Sequence, residues 1–500
     1  MRRVSGPDAM PLRRPDLAAR GRLGRSPVAP VGRSALAGIG IVALALAAIS
    51  LVAFPALPRQ GDSIVYWRMM RWMLGEAPSP GLVQAPGYAG FLALVVGSVP
   101  LPVGPALLLV QHMLRLVPVA AMLALAWRLR MRPAVTAAAM LVAVAPESAV
   151  FAHYVMSEVL AAALVAGAAV ALWRLWERPA PDRAAVVGLL VGCLTAVRPA
   201  GALGLLPGRW GGGAAPRRGS WWRGASLLAG FAAALLPWVA FNRAGTGEFA
   251  LVNSIGRHLF SRVVSEGHAL APGDPALADL NREAGFPVEA PATYLWNYTE
   301  ALRRKGWSEA DADRRLGRVA LGALARHPGR YAVGTLAGMA GIAVWTPRAS
   351  VGAGPYLEAE HALGVPGSLT EAVADLRPFV PDAEAVEWIL TDLHPVFDDG
   401  WPRRALAGWT EAWRGAMGIL RWPLLLLVMA GAVVLWRDRS RGLPAGWGRG
   451  VVLLLVLGLL GHAAAEMPVP RYGLPYQPLV FLLACEGGAW MATIVRGRAR

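Results

Sequence analysis

The stretch from Ser34 to Leu57, SALAGIGIVALALAAISLVAFPAL, runs directly into Pro58-Arg59-Gln60-Gly61-Asp62-Ser63-Ile64-Val65-Tyr66-Trp67. An uncharged run of this length reads as a membrane span, since about 20 apolar residues cross the hydrocarbon core. Arg13, Arg14, Arg20, Arg22, Arg25 and Arg33 precede it. Under the positive-inside rule they hold the N-terminus in the cytoplasm, and Asp62 then emerges on the outer face. The run ends in Val52-Ala53-Phe54-Pro55 without a small-x-small cleavage site. It therefore reads as an uncleaved anchor behind a disordered basic leader, residues 1–33.

The rest of the chain repeats the pattern. It has 500 residues, of which 55% are hydrophobic, and its mean hydropathy is +0.44. Those values exclude a soluble globular domain and predict an all-α polytopic membrane protein. The formal net charge of +17 would suit nucleic acid. The arginines, however, collect where spans end, as cytoplasmic loops require, so nucleic acid is not an expected partner. Cys193 and Cys485 both lie in apolar runs and indicate neither a disulfide framework nor a thiolate metal site.

Arginine-bounded apolar runs predict about ten crossings, with both termini inside and the larger loops outside. An N-terminal transmembrane module covers 34–243 and includes a first outer loop, 58–85. Within that loop, residues 61–75 mix Tyr66, Trp67 and Trp72 with Arg68 and Arg71, which suits an interfacial helix. Residues 86–99 are apolar but too short to cross. Residues 184–207 are broken by Arg198-Pro199, and two half-helices there keep the following basic stretch inside. An outer-face loop region follows at 244–330. An interfacial or re-entrant segment at 331–346 and an acidic loop make up 331–415, and a C-terminal transmembrane module spans 416–500.

Three clusters could carry chemistry. Asp62 stands in the first outer loop, either as a reacting carboxylate or as a cap for the helix behind it. Glu158 opens a span on the same side, where an ionisable group is costly unless it has a use or gains from the helix dipole. His153 lies about one helical turn before it. Arg471 and Tyr472 fall between the last two spans on the outer face, against the positive-inside trend. The Arg471 fork suits a phosphate oxygen pair, or anchors at the interface beside Glu466. Arg198 interrupts a membrane hairpin and Arg257 follows the Pro237-Trp238 exit; both could reach the same pocket or be ordinary loop charge. No Walker sequence, no His-Glu-x-x-His and no calcium-loop spacing occurs, and Lys305 is the single lysine. Phosphate binding would therefore fall to arginine.

In this order the motifs resemble those of the polytopic C-superfamily glycosyltransferases. Within that group they are similar to the bacterial protein O-mannosyltransferases and the aminoarabinose transferases of lipid A, glycosyltransferase family 39-like proteins. The resemblance rests on Asp62, on Pro86-Gly87-Tyr88 with the apolar residues behind it, on Ser157-Glu158, and on Arg471 to Pro475. Thr195 to Pro199 and Leu236 to Asn242 add to it. The chain departs from the group in having Asp-Ser where paired acids are common, and a single Pro where many members have Pro-Pro.

The resemblance implies a glycosyltransferase C-type fold with the active site on the outer face of the cytoplasmic membrane. The donor would be a sugar on polyprenyl phosphate, and the acceptor a lipid, glycan or protein. Asp62 would be the general base and Glu158 would orient the acceptor or share a divalent cation with Asp62. Arg471, Tyr472, Arg198, Arg257, Tyr88 and His153 would bind substrate. A metal-independent reaction is favoured, because arginine can neutralise the leaving phosphate. The rival readings are a polyprenyl-lipid flippase or transporter, and an O-antigen polymerase or ligase.

Overall fold

The computed structural model describes residues 32–78, 84–129, 132–210, 220–247, 249–252, 254–264, 275–286, 295–344, 366, 368–370, 383–398, 400–437, 446–465 and 470–498. The basic leader up to residue 31 lies outside them. The described elements are helices, α or 3-10, together with an isolated parallel bridge between Leu57 and Tyr154.

Among the described residues, seven helices are long and apolar enough to cross a membrane: Arg33–Leu51, Val103–Arg128, Glu158–Glu177, Trp221–Ala244, Trp401–Arg437, Trp447–Ala464 and Tyr472–Arg496. The chain is a multi-pass membrane protein. Pro86–Ser98 and Pro133–Val144 are shorter apolar helices, and the segment expected at 331–346 is the 17-residue helix Pro328–Val344. The last long loop ends earlier than its composition suggests. Trp401–Arg437 is one helix of 37 residues, because Ala405, Leu406 and Ala407 favour helix and Arg414 pairs with Glu411 one turn back at 3.2 Å.

The elements that position the site are α1 (Arg33–Leu51), α2 (Gln60–Met73), α3 (Pro86–Ser98), α4 (Val103–Arg128), α5 (Pro133–Val144), α6 (Glu147–Phe151), α7 (Glu158–Glu177) and α8 (Pro181–Val197). Helix α8 stops at Arg198 because Pro199 pushes the residue before it out of the helical region, to φ −140° and ψ 106°. A 3-10 turn, Pro199–Gly204, follows. Helix α8 lies against the long helix Ser220–Thr246 at backbone contact. A Cβ on Gly188 would stand 1.9 Å from the Leu227 carbonyl oxygen, and one on Gly230 would stand 2.0 Å from that of Ala185. Small residues four apart admit this approach in a membrane, where close packing replaces hydrophobic burial. Gly188→Val is expected to separate the pair and cost roughly 3 kcal/mol. Thermal unfolding of the purified protein in detergent checks this, and an unchanged midpoint would reject the contact.

Residues between 255 and 326 form a small helical cluster from Ile255–Val264, Pro275–Ala284, Leu295–Arg304 and Glu309–Arg326. Phe260, Leu280, Tyr298, Leu302 and Leu316 fill its core.

Candidate active site

Two short extended segments register the site. The Leu57 backbone N–H donates to the His153 carbonyl and the Val155 N–H donates to the Leu57 carbonyl, both at 2.9 Å. Counting forward from this bridge, Asp62 and Glu158 each fall in the first turn of the next helix, α2 and α7. Ser63 strengthens the register: its hydroxyl accepts from the Arg59 N–H at 2.6 Å and donates to the Val155 carbonyl at 2.9 Å. Trp67, buried one turn on, donates to Asp392 at 2.9 Å and ties α2 to helix Ala383–Leu393.

Asp62 is not the cap of α2. The N-cap is Arg59, which makes no side-chain cap bond. The half-buried Asp62 carboxylate instead accepts a 2.9 Å bond from the Gln84 amide. Four residues on and therefore on the same helix face, Tyr66 is buried with its hydroxyl 3.4 Å from that of Ser157. Burial pushes the phenol up to about 12. Tyr66 thus stays protonated.

Glu158 is fully buried, and its carboxylate takes a 2.6 Å bond from the Arg198 guanidinium. The Arg198 guanidinium carbon lies 4.7 Å from the centroid of the Tyr472 ring, and the Tyr472 and His462 ring centroids are 4.9 Å apart. Helix α7, the break after α8 and the 3-10 turn Pro470–Tyr476 therefore meet at one buried cation. Buried charge requires a partner, and stacking on an aromatic face suits arginine in particular.

Of the residues expected to act together, Glu158, Arg198 and Tyr472 are joined by the ion pair and the stack, and Asp62 lies on α2, which meets the start of α7 through Ser63 and Tyr66. The Arg471 side chain lies outside the described residues. Tyr88 is fully buried behind Tyr66, with ring centroids 4.9 Å apart, and donates to Gln111 at 3.1 Å. Arg257 is buried in the small helical cluster, 3.1 Å from Glu309 and 3.5 Å from Asp313. Tyr66 and Gln84 were not singled out from sequence. The four-residue spacing from Asp62 to Tyr66 was the available signal for the first, and nothing local pointed to Gln84. Among the described residues no three His, Cys, Asp or Glu side chains group as metal ligands.

His153 turns away from this cluster. Its ring stacks on Phe54 at 3.8 Å and its Nε2 lies 3.3 Å from that of His112. Burial pulls its pKa from 6.5 down to about 4. Below 6.5 the unfolded chain takes up a proton that the folded state refuses. The resulting stability is complete above that pH and lost as pH falls toward 4, by about 3 kcal/mol for this site. Unfolding midpoints between pH 7 and 4 are expected to fall less steeply for His153→Asn than for the wild type.

No family model matches the chain, and no curated protein matches it. Among solved structures it is similar to an Archaeoglobus fulgidus oligosaccharyltransferase in the apo form. The identity is 11% and the TM-score 0.42, over 93% of this chain and 51% of that one. A second is the Archaeoglobus fulgidus oligosaccharyltransferase in complex with an inhibitory peptide and a dolichol-phosphate, with 12% identity and a TM-score of 0.42 over 92% of this chain and 51% of that one. The chain spans about half the length of these structures. At that level the likeness assigns this chain no activity.

Proposed function

We propose that this protein is a membrane glycosyltransferase that moves a sugar from a polyprenyl-phosphate donor to a hydroxyl acceptor at the outer face of the membrane. One observation carries the reading: a half-buried carboxylate, Asp62, stands next to Ser63, whose hydroxyl ties α2 to the Val155 carbonyl just ahead of α7, and the first residue of α7, Glu158, holds a stacked arginine, Arg198. Base and phosphate-binding cation are the two groups that the reaction needs.

In the proposed reaction the acceptor oxygen forms a bond to the anomeric carbon while the bond from that carbon to the phosphate oxygen breaks. The electron pair leaves with the phosphate, the acceptor proton goes to Asp62, and the anomeric configuration inverts. Arg198, with Arg471 from the same 3-10 turn as Tyr472, neutralises the charge that develops on the phosphate. Glu158 is a positioning residue, because it holds the Arg198 fork rather than the acceptor. Tyr66 stays protonated and can donate to the same phosphate.

The test is to incubate the purified chain with a polyprenyl-phosphate sugar and candidate lipid, glycan and peptide acceptors. Sugar transfer with release of free polyprenyl phosphate is the expected result. Translocation of the intact sugar lipid across vesicles without that release would replace the reading with a transporter. Extension of one lipid-linked glycan by another would replace it with a polymerase.

A further inference from the structure

The opposite end of the same helices carries a second site. Helix α7 has 20 residues, so its C-terminus stands about 30 Å from Glu158. There Arg128 at the end of α4, Arg174 and Arg178 at the end of α7, and Arg183 at the start of α8 line a groove of about 580 Å³. Glu177 and Asp182 also line it, so four arginines against two acids leave it net positive.

These arginines are not equally engaged. Arg128 pairs with Glu177 at 3.1 Å. Arg183 donates to the Arg174 and Arg178 carbonyls at 2.8 and 3.3 Å and so caps the end of α7. Among the described residues, Arg174 and Arg178 form no ion pair, and both are exposed. A net cationic groove at the end of membrane helices selects an anion at the level of the lipid headgroups.

The groove also continues into an apolar slot. A cavity of about 150 Å³ shares Arg128, Val170 and Arg174 with it and runs between α4 and α7 past Ala124, Trp173 and Trp447. A soluble anion has no use for such a slot, whereas a lipid has both parts. We infer that this is a binding site for an anionic glycerophospholipid of the membrane. Its phosphate is held by Arg174 and Arg178, and the start of one acyl chain lies in the slot between α4 and α7. The charge and the slot lie on the membrane face opposite the Asp62 cluster, so the occupant is not the sugar donor bound there.

The experiment is native mass spectrometry of the full chain, purified in a neutral detergent and offered equal amounts of phosphatidylglycerol and phosphatidylcholine. Phosphatidylglycerol is expected to be retained about thirtyfold more strongly, because its headgroup keeps a net negative charge before two arginines, whereas the choline ammonium offsets the phosphate of phosphatidylcholine. Arg174→Ala with Arg178→Ala removes that preference. Ala124→Phe fills the slot and lowers the retention of both lipids. Glu177→Gln releases Arg128 and raises retention of phosphatidylglycerol, the opposite direction from that expected if these residues were only structural.

Equal retention of the two lipids by the wild type, or a preference that survives the double substitution, overturns the assignment. So does displacement of phosphatidylglycerol by inorganic phosphate at equal concentration, which would mean a headgroup-only site. Retention of polyprenyl phosphate in preference to phosphatidylglycerol overturns the choice of lipid. The readout is binding alone, so its result is independent of whether the chain transfers sugar.

Discussion

Asp62→Asn is expected to lower sugar transfer from a polyprenyl-phosphate donor by a factor on the order of 10² to 10⁴, the usual contribution of a general base. The substitution isolates proton transfer from architecture. Asparagine is isosteric and its carbonyl oxygen still accepts the bond from Gln84, so α2 keeps its place. The helix loses one acid from its first turn, worth about 0.3–1 kcal/mol at a partly exposed position. Donor binding should therefore change little while turnover collapses. Undiminished turnover would remove Asp62 from the chemistry and leave it a helix-terminus residue that orders Gln84. Gln84→Ala separates the two roles: it should lower turnover by less than Asp62→Asn, because it loosens the carboxylate without removing it.

The second large effect concerns the pair between Glu158 and Arg198. Both are buried, and the carboxylate is fully so. Removing either partner leaves a charge in a low-dielectric site, at a cost of about 3–5 kcal/mol. Glu158→Gln and Arg198→Gln should each destabilise the purified protein by that amount. The double substitution should cost less than the sum, because no uncompensated charge remains. An additive double variant would show that the pair is not coupled. Arg198→Lys discriminates between charge and shape. It keeps the cation but loses the planar fork over Tyr472, and it should retain more stability than Arg198→Gln while losing turnover. If Arg198→Lys keeps full turnover, the fork has no role in holding phosphate.

Much of the architecture was legible because it follows from local properties. The uncharged run after Arg33 is a helix in the structure over Arg33–Leu51. The break at Arg198-Pro199 appears as the end of α8, since proline constrains the residue before it wherever it occurs. The acidic-loop region read as extending to 415 is helical from Trp401 on, so the helix begins about four turns earlier than composition suggests. Composition there is polar, but Trp401–Arg437 continues as helix out of the apolar region, supported by local pairs such as Arg414 with Glu411. Polarity reports solvation, and solvated residues can still be helical.

The site was legible only in its parts. Sequence order and sidedness nominated Asp62, Glu158, Arg198 and Tyr472 as separate candidates, and composition alone makes the chain a multi-pass helical membrane protein. That Glu158 grips Arg198, forty positions away, and that Tyr66 meets Ser157 at the start of α7, followed from the packing of α2, α7 and α8. So did the inward turn of His153 and the enclosure of Arg257 by Glu309 and Asp313. Span formation depends on the transfer free energy of successive side chains, which adds up along the chain. Ion pairing depends on which helix faces meet in space, and that is decided only when the helices pack.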